Sequence, residues 1–221
     1  MRRTDSQPPW ELAFAWCPPT ESLLLPETSV GIGATSRPAE QAAVTRRYNR
    51  MAWVYDFYNA PMEWAAMGRR RRRLLAYAGG ATLEVGVGTG RNIPHYPRGT
   101  ELVAIDVSEA MIAKAHRRAE AAGRQVDLSV ADVMDLPYPD DSFDTTVATS
   151  VFCSVAEPIN GLRELDRVTK PGGRILLLEH VRPRNPLLGL IADLMTPVTR
   201  RLLGFRLNRR IEDSIAQAGL T

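Results

Sequence analysis

The chain is predicted to fold as an α/β domain around a mostly parallel sheet, and its alternating pattern carries that expectation. Short apolar runs recur at Thr82 to Val87, Glu101 to Ile105, Val126 to Val130, Thr145 to Thr149 and Arg174 to Glu179. Helical stretches, notably Ser108 to Ala122 and Pro158 to Lys170, lie between them. Strands alternating with helices of this length form βαβ units, which bury a parallel sheet between two helical layers. A glycine-rich loop, Gly86 to Gly90, follows the first run, where a strand hands over to a helix.

Taken in order, residues 1–40 hold Pro8, Pro9, Pro18, Pro19, Pro26 and Pro38 with no sustained period, and read as a mobile N-terminal extension. Trp10, Phe14, Trp16 and Leu23 to Leu25 offer the alternative that this segment docks on a surface. Residues 41–80 are helical in pattern and rich in aromatic side chains, which suits N-terminal helices or a lid. Residues 81–221 form the α/β domain. Ser108 and Glu109 stand where an N-cap and a first-turn acid belong. Pro171-Gly172-Gly173 is expected to end the preceding helix. Beyond the fifth run the pattern is helical from Pro186 to Phe205 and from Asn208 to Ala218.

With 221 residues, 44% of them hydrophobic and 24% charged, the chain can bury a core and is too short for two full-size domains. A net charge of +3, from 28 basic and 25 acidic side chains, is too near balance for a general polyanion binder. Only Lys114 and Lys170 are lysines, so the basic side is almost wholly arginine, a bias that a GC-rich coding sequence also produces. Cys17 and Cys153 provide neither a disulfide framework nor a metal-ligand spacing. No apolar run approaches the roughly 20 residues of a spanning helix. A cytoplasmic protein is expected.

The ligand class is read from the strand ends. Glycine at a strand-to-helix turn lets backbone approach a ligand, and the helix behind it offers unpaired N–H groups to an anion. Glycine falls at alternate positions in Gly86-Val87-Gly88-Thr89-Gly90, unlike the nicotinamide fingerprint, whose third glycine position is here Arg91. Asp106 closes the second strand, where a carboxylate accepts from ribose hydroxyls. Asp132 closes the next strand and can accept from an adenine amine. A nicotinamide oxidoreductase is the weaker reading.

These blocks, with Ile105-Asp106-Val107-Ser108 and Met111, Asp132 to Leu136, Pro137 to Asp144, and Leu162 to Gly173, resemble the class I S-adenosylmethionine-dependent methyltransferases. Within them they resemble the type 11 group of quinone C-methyltransferases and bacterial phospholipid N-methyltransferases. The resemblance implies a Rossmann-like fold and S-adenosyl-L-methionine as cofactor. It implies that Gly86, Gly88 and Gly90 receive the methionine carboxylate, with Glu84 near the amino group. Asp106 would hold the ribose, and Asp132 with the backbone at Val133 would read the adenine. Val107, Met111 and Ser150 complete the cofactor-facing set, and Tyr48 and Tyr55 resemble tyrosines that cap the pocket, or else are packing aromatics.

Methyl transfer from a sulfonium is an in-line displacement in which placing the nucleophile is the main contribution. The acceptor side is expected at Ser150 to Ser154 and at Glu179-His180, beyond the strand ends. His180 either orients the acceptor and takes its proton or is a loop histidine; Cys153 reads as a small buried residue. Phe152 to Val155 and Leu176 to Val181 resemble the bacterial phosphatidylethanolamine N-methyltransferases more than the quinone enzymes. A small-molecule or lipid acceptor follows, with peripheral membrane contact through the arginine run Arg69 to Arg73 or the apolar stretch Pro186 to Phe205. Ser150-Val151-Phe152-Cys153 matches neither nucleobase methyltransferase motif, so nucleic acid is not expected as substrate.

The family closes its sheet with a final hairpin, whereas this sequence reads helical to Ala218 and ends at Thr221. The fold is therefore expected to lack the last two strands and to leave the fifth as an exposed edge. A non-catalytic S-adenosylmethionine-binding or dimerising module is the corresponding alternative.

Overall fold

The computed structural model describes residues 14–15, 42–43, 45–46, 48–50, 67–179, 181–183, 185–202 and 205–220. Its elements are β1 (Phe14–Ala15), α1 (Gly68–Leu75), β2 (Ala81–Val85), β3 (Glu101–Asp106), α2 (Glu109–Ala121) and β4 (Asp127–Val130). They continue with β5 (Phe143–Thr149), α3 (Pro158–Val168), β6 (Thr169–Leu178), α4 (Pro186–Leu202) and α5 (Ile211–Ala218). The sheet order is β1-β6-β5-β2-β3-β4, with β2 to β6 all parallel. β3 lies on one side of β2 and β5 on the other, so the chain reverses its direction of travel across the sheet between them. Such a switch point opens a crevice at the carboxyl ends of the strands.

Alternation along the strands builds two cores. Leu83, Val85, Ile175 and Leu177 face one layer with Leu162, Leu165 and Ile215. Val147, Leu176 and Leu178 face the other, with Leu74, Ile112 and Ala115. Strands buried on both faces are the hallmark of a covered parallel sheet. Position 84, on the second face, carries an acid that is only 2% exposed.

Some boundaries differ from expectation, each for a local reason. α3 stops at Val168 rather than Lys170, because Thr169 is already extended, at φ −85° and ψ 128°, with its hydroxyl donating to Leu165 O at 2.6 Å. Lys170 precedes a proline, which disfavours helix at that residue. Pro171-Gly172-Gly173 consequently lies inside β6, where pairing with β5 shifts from Phe143–Thr169 to Thr145–Arg174. The expected bare edge is partly covered: Phe14 and Ala15 pair antiparallel with Leu176 and Ile175. These two residues come from the segment expected to be mobile. Among the described residues no strand follows β6.

Ser108 is the N-cap of α2: its backbone is extended and its hydroxyl accepts from Met111 N at 3.2 Å. Ser108→Ala removes that acceptor and is expected to lower stability by about 1 kcal/mol in urea denaturation. An unchanged midpoint would remove the cap from this account.

Candidate active site

The crevice at the switch point is lined from every central strand end. Gly86 and Gly88 follow β2, Asp106 and Val107 close β3, and Ala131 and Val133 follow β4. Thr149, Ser150 and Val151 come from the end of β5 and the loop after it. With its open mouth included, the crevice measures about 630 Å³.

Glycine at 86 is required twice over. Its φ is +62°, and a Cβ there would stand 2.5 Å from Val151 Cγ2. Gly90 serves packing: a Cβ at that position would lie 2.8 Å from Ile93 Cδ1 and 3.0 Å from Ala115 Cα. The loop is thus pressed between the β5 loop and α2. At Gly88, by contrast, an added Cβ would meet nothing nearer than 4.0 Å, so this backbone borders open space.

Asp106 binds the loop to the helix. Its Oδ2 accepts from Gly88 N at 2.9 Å and its Oδ1 from Ser108 N at 2.9 Å. Burial pushes its carboxyl up to about 6, opposed by the backbone amides of Gly88, Ser108 and Val107. A carboxylate has about four lone-pair sites, so these amide donors leave it acceptor capacity for a ligand hydroxyl. The Ser108 hydroxyl in turn donates to Asn49 Oδ1 at 2.5 Å, and Ala110 N donates to the same oxygen at 3.4 Å. Asn49 therefore fastens the helical residues 48–50 over the start of α2, with Tyr48 on the crevice wall.

Glu84 sits behind the loop rather than on the wall. Asn92 Nδ2 donates to its Oε1 at 2.7 Å and the Tyr96 hydroxyl to its Oε2 at 2.9 Å. Arg71 Nη1 donates to Asn92 Oδ1, and Asn92 Nδ2 also reaches Thr149 Oγ1 at 3.1 Å, on the crevice wall. Burial raises Glu84 to about 7 against the Tyr96 hydrogen bond, the Arg71 charge and the Asn92 hydrogen bond. Arg71 is itself buried, so Arg69 to Arg73 is not one solvent-facing patch: the helical turn carries its middle member into the protein.

On the β5 side, Glu179 Oε1 accepts from Val151 N at 2.7 Å and from Phe152 N at 3.0 Å. Burial pushes Glu179 up to about 7, while the amides of Phe152, Val151 and Cys153 and the Arg209 charge pull it down. Ser150 has φ +57°, a left-handed conformation uncommon for a non-glycine residue and enriched at functional sites. Cys153 is buried, its thiol pushed up by desolvation.

Of the residues expected from sequence, Tyr48, Gly86, Gly88, Asp106, Val107, Met111, Val133 and Ser150 meet on the crevice wall. Glu84 lies behind the loop, and Gly90, at the loop's end, packs against Ile93 and Ala115 instead of lining the crevice. The Asp132 carboxylate accepts from Met134 N at 3.0 Å, while its chain neighbours Ala131 and Val133 face the crevice. Tyr55 and His180 lie outside the described residues. Val155, from the stretch read as a substrate clue, reaches the crevice wall, whereas sequence reasoning missed Thr149, Asn49 and the Arg71-Asn92-Tyr96 set. Among these, Thr149 alone carried a signal, as the last residue of an expected strand.

A glycine loop at a switch point, an acid closing the neighbouring strand and a helix N-terminus beside both define a Rossmann-like adenosyl-cofactor site. A methyltransferase-domain family matches residues 83–177. A phosphatidylethanolamine N-methyltransferase of Cereibacter sphaeroides is 36% identical over 154 residues, 67% of this chain and 73% of the relative. A demethylmenaquinone methyltransferase of Thermus thermophilus is 34% identical over 151 residues, 65% and 69% of the two chains. Among solved structures, an S-adenosylmethionine-dependent methyltransferase of Thermotoga maritima, a possible histamine N-methyltransferase, shares the fold. Its TM-score is 0.62 at 22% identity, over 79% of this chain and 80% of that one.

The chain belongs to the type 11 family of class I S-adenosylmethionine-dependent methyltransferases. It is an S-adenosylmethionine-dependent methyltransferase. The open backbone at Gly88 and the spare lone pairs of Asp106 fit that cofactor.

Glu84, Asp106 and Glu179 are all raised above ordinary values of 4.5, 3.8 and 4.5, so the folded chain binds protons more tightly there than the unfolded chain. Their contribution to stability therefore falls as pH climbs from about 4 to about 7. Asp144, Glu164 and Asp193 are held low by their cationic partners, so their contribution has the opposite sign and is lost toward acid pH. Urea denaturation from about pH 4 to about pH 7 should show declining stability, less steep in Glu84→Gln. A flat profile in the parent protein would contradict the burial argument.

Proposed function

We propose that this enzyme methylates the amine of a phospholipid headgroup, with Asp106 holding the cofactor's ribose. Gly86 to Gly90 then take the methionine carboxylate, and Val133 with Asp132 lies against the adenine. Residues 41–80 serve as a helical lid, with Tyr48 over the crevice and Tyr55 nearby in sequence, while 81–221 form the transferase domain and 1–40 an extension. The observation that carries cofactor placement is the Asp106 carboxylate on the crevice wall, tied at 2.9 Å to both the loop and α2.

When bound, the cofactor supplies an electrophilic methyl carbon on a cationic sulfur. The chain's part is placement and exclusion of water, and well-oriented systems gain up to about 7 to 11 kcal/mol from placement. Among the described residues, Asp106 and Tyr48 are the only titratable side chains on the crevice wall. That poverty of acids and bases suits an acceptor whose own nitrogen lone pair attacks once it is unprotonated. Ser150 and Ser154 supply hydroxyls to orient it, and His180 is the candidate to accept a proton from the incoming ammonium. The identity to the Cereibacter sphaeroides enzyme supports this acceptor. The comparable identity to the Thermus thermophilus enzyme supports a second reading, methylation of a quinone ring carbon. A lipid acceptor also implies that the enzyme meets its substrate at a membrane surface.

Asp106→Ala removes a charged hydrogen-bond acceptor, so cofactor affinity should fall by about 1.5 to 3 kcal/mol in calorimetric titration. Unchanged affinity would move the ribose elsewhere. Incubation with methyl-labelled cofactor and detergent-dispersed phosphatidylethanolamine or demethylmenaquinol, read by mass spectrometry, tests the acceptor. Label is expected on the ethanolamine nitrogen; label on the quinol ring alone would overturn the lipid reading in favour of the second.

A further inference from the structure

Helix α4 is built inside out. Leu187, Leu190, Ile191, Leu194, Met195 and Val198 recur at helical spacing and all face solvent, Leu194 being 68% exposed. The face turned to the protein carries Ala192, Thr196 and Thr199, each less than a tenth exposed. Both threonines satisfy themselves locally: Thr196 donates to Ala192 O at 2.7 Å, and Thr199 to Phe205 O at 3.1 Å. A water-facing helix normally shows the opposite arrangement. An apolar face of this extent marks an interaction surface.

Charge selects the partner. The helix holds one acid, Asp193, and Arg182 neutralises it through contacts of 3.2 and 2.7 Å. Its other ionisable residues are Arg200 and Arg201 near its end. An apolar face without a free anion, flanked by arginine, complements an anionic lipid surface. Among the described residues no helix is long and apolar enough to cross a membrane. With its polar side against the protein, α4 can lie flat in the headgroup region.

The helix is also joined to the crevice. Thr199 holds Phe205, Arg206 N donates to Cys153 O at 3.0 Å, and Arg209 Nη2 donates to Val155 O at 3.0 Å. Val155 lines the crevice. A surface docked on α4 is therefore linked by short hydrogen-bonded steps to the wall past which a headgroup would enter.

We propose that the outward face of α4 seats the enzyme on an anionic bilayer, in the plane of the headgroups. The inference rests on the lipid reading for its purpose, but not for its geometry. The test is flotation of the 221-residue chain with vesicles of phosphatidylcholine and phosphatidylglycerol, for the parent chain and Leu190→Glu/Leu194→Glu. The parent should float, and the double variant should partition at least about tenfold more weakly. A cofactor-induced rise in melting temperature, retained in the variant, shows that it is folded. Equal flotation of the two proteins, or none by the parent, would overturn the proposal. So would a parent dimer that the substitutions convert to monomer without any vesicle binding, since a second copy would then cover the face. Methylation of detergent-dispersed phosphatidylethanolamine without flotation defeats this inference alone; flotation that depends on Leu190 and Leu194 without lipid methylation defeats the acceptor reading alone.

Discussion

The architecture of the site depends on one carboxylate held by two backbone amides. Asp106 stops β3 at the point where Gly88 N and Ser108 N both reach it at 2.9 Å, so loop, strand and helix N-terminus share a single anchor. Val87 N donates to Ile105 O at 2.9 Å and continues the parallel pairing into the loop. A negative charge beside the first turn of α2 is favoured by the helix dipole as well as by these donors. Burial opposes it, and the balance leaves Asp106 with a proton affinity near the middle of the biological pH range.

The same balance recurs around the crevice. Glu84 is a buried acid and Glu179 a half-buried one, each pulled back by donors from other elements: Asn92 and Tyr96 for one, the Val151 and Phe152 amides for the other. Neither carboxylate lines the crevice, yet each fixes something that does. Glu84 acts through Asn92 on Thr149, and Glu179 holds Val151, whose side chain fills the space a Cβ at Gly86 would need. Both acids thus act on the geometry of the strand ends.

Much of this was legible in the sequence because strand ends are fixed points. Gly86, Gly88, Asp106 and Ser108 stand in a register set by the period of the elements that carry them, so their meeting can be read from spacing. Asn49 cannot be read that way, since it reaches Ser108 from 59 positions earlier in the chain. Arg71 comes from α1, whereas Asn92 and Tyr96 flank one short 3-10 turn, Ile93–His95, and the three gather at Glu84 only in the folded chain. In the arginine run, charge obscured the helical turn that buries Arg71. Hydropathy revealed the apolar stripe of α4 but not which side of the helix meets the protein, because that depends on the loops around Arg182 and Phe205. Phe14 and Ala15 gave no strand pattern; their pairing is created by the edge that β6 presents.

Burial pushes the Asp106 carboxyl up to about 6, and as the proposed ribose acceptor it is expected to ionise when the cofactor binds. Calorimetric titration of S-adenosylhomocysteine near pH 6, in buffers of differing ionisation enthalpy, measures the protons exchanged on binding. The neutral sulfur of this ligand removes the sulfonium charge as a source of the effect. Net proton release is expected for the parent protein and should disappear in Asp106→Asn. Equal release by the two proteins, or none by the parent, would contradict it.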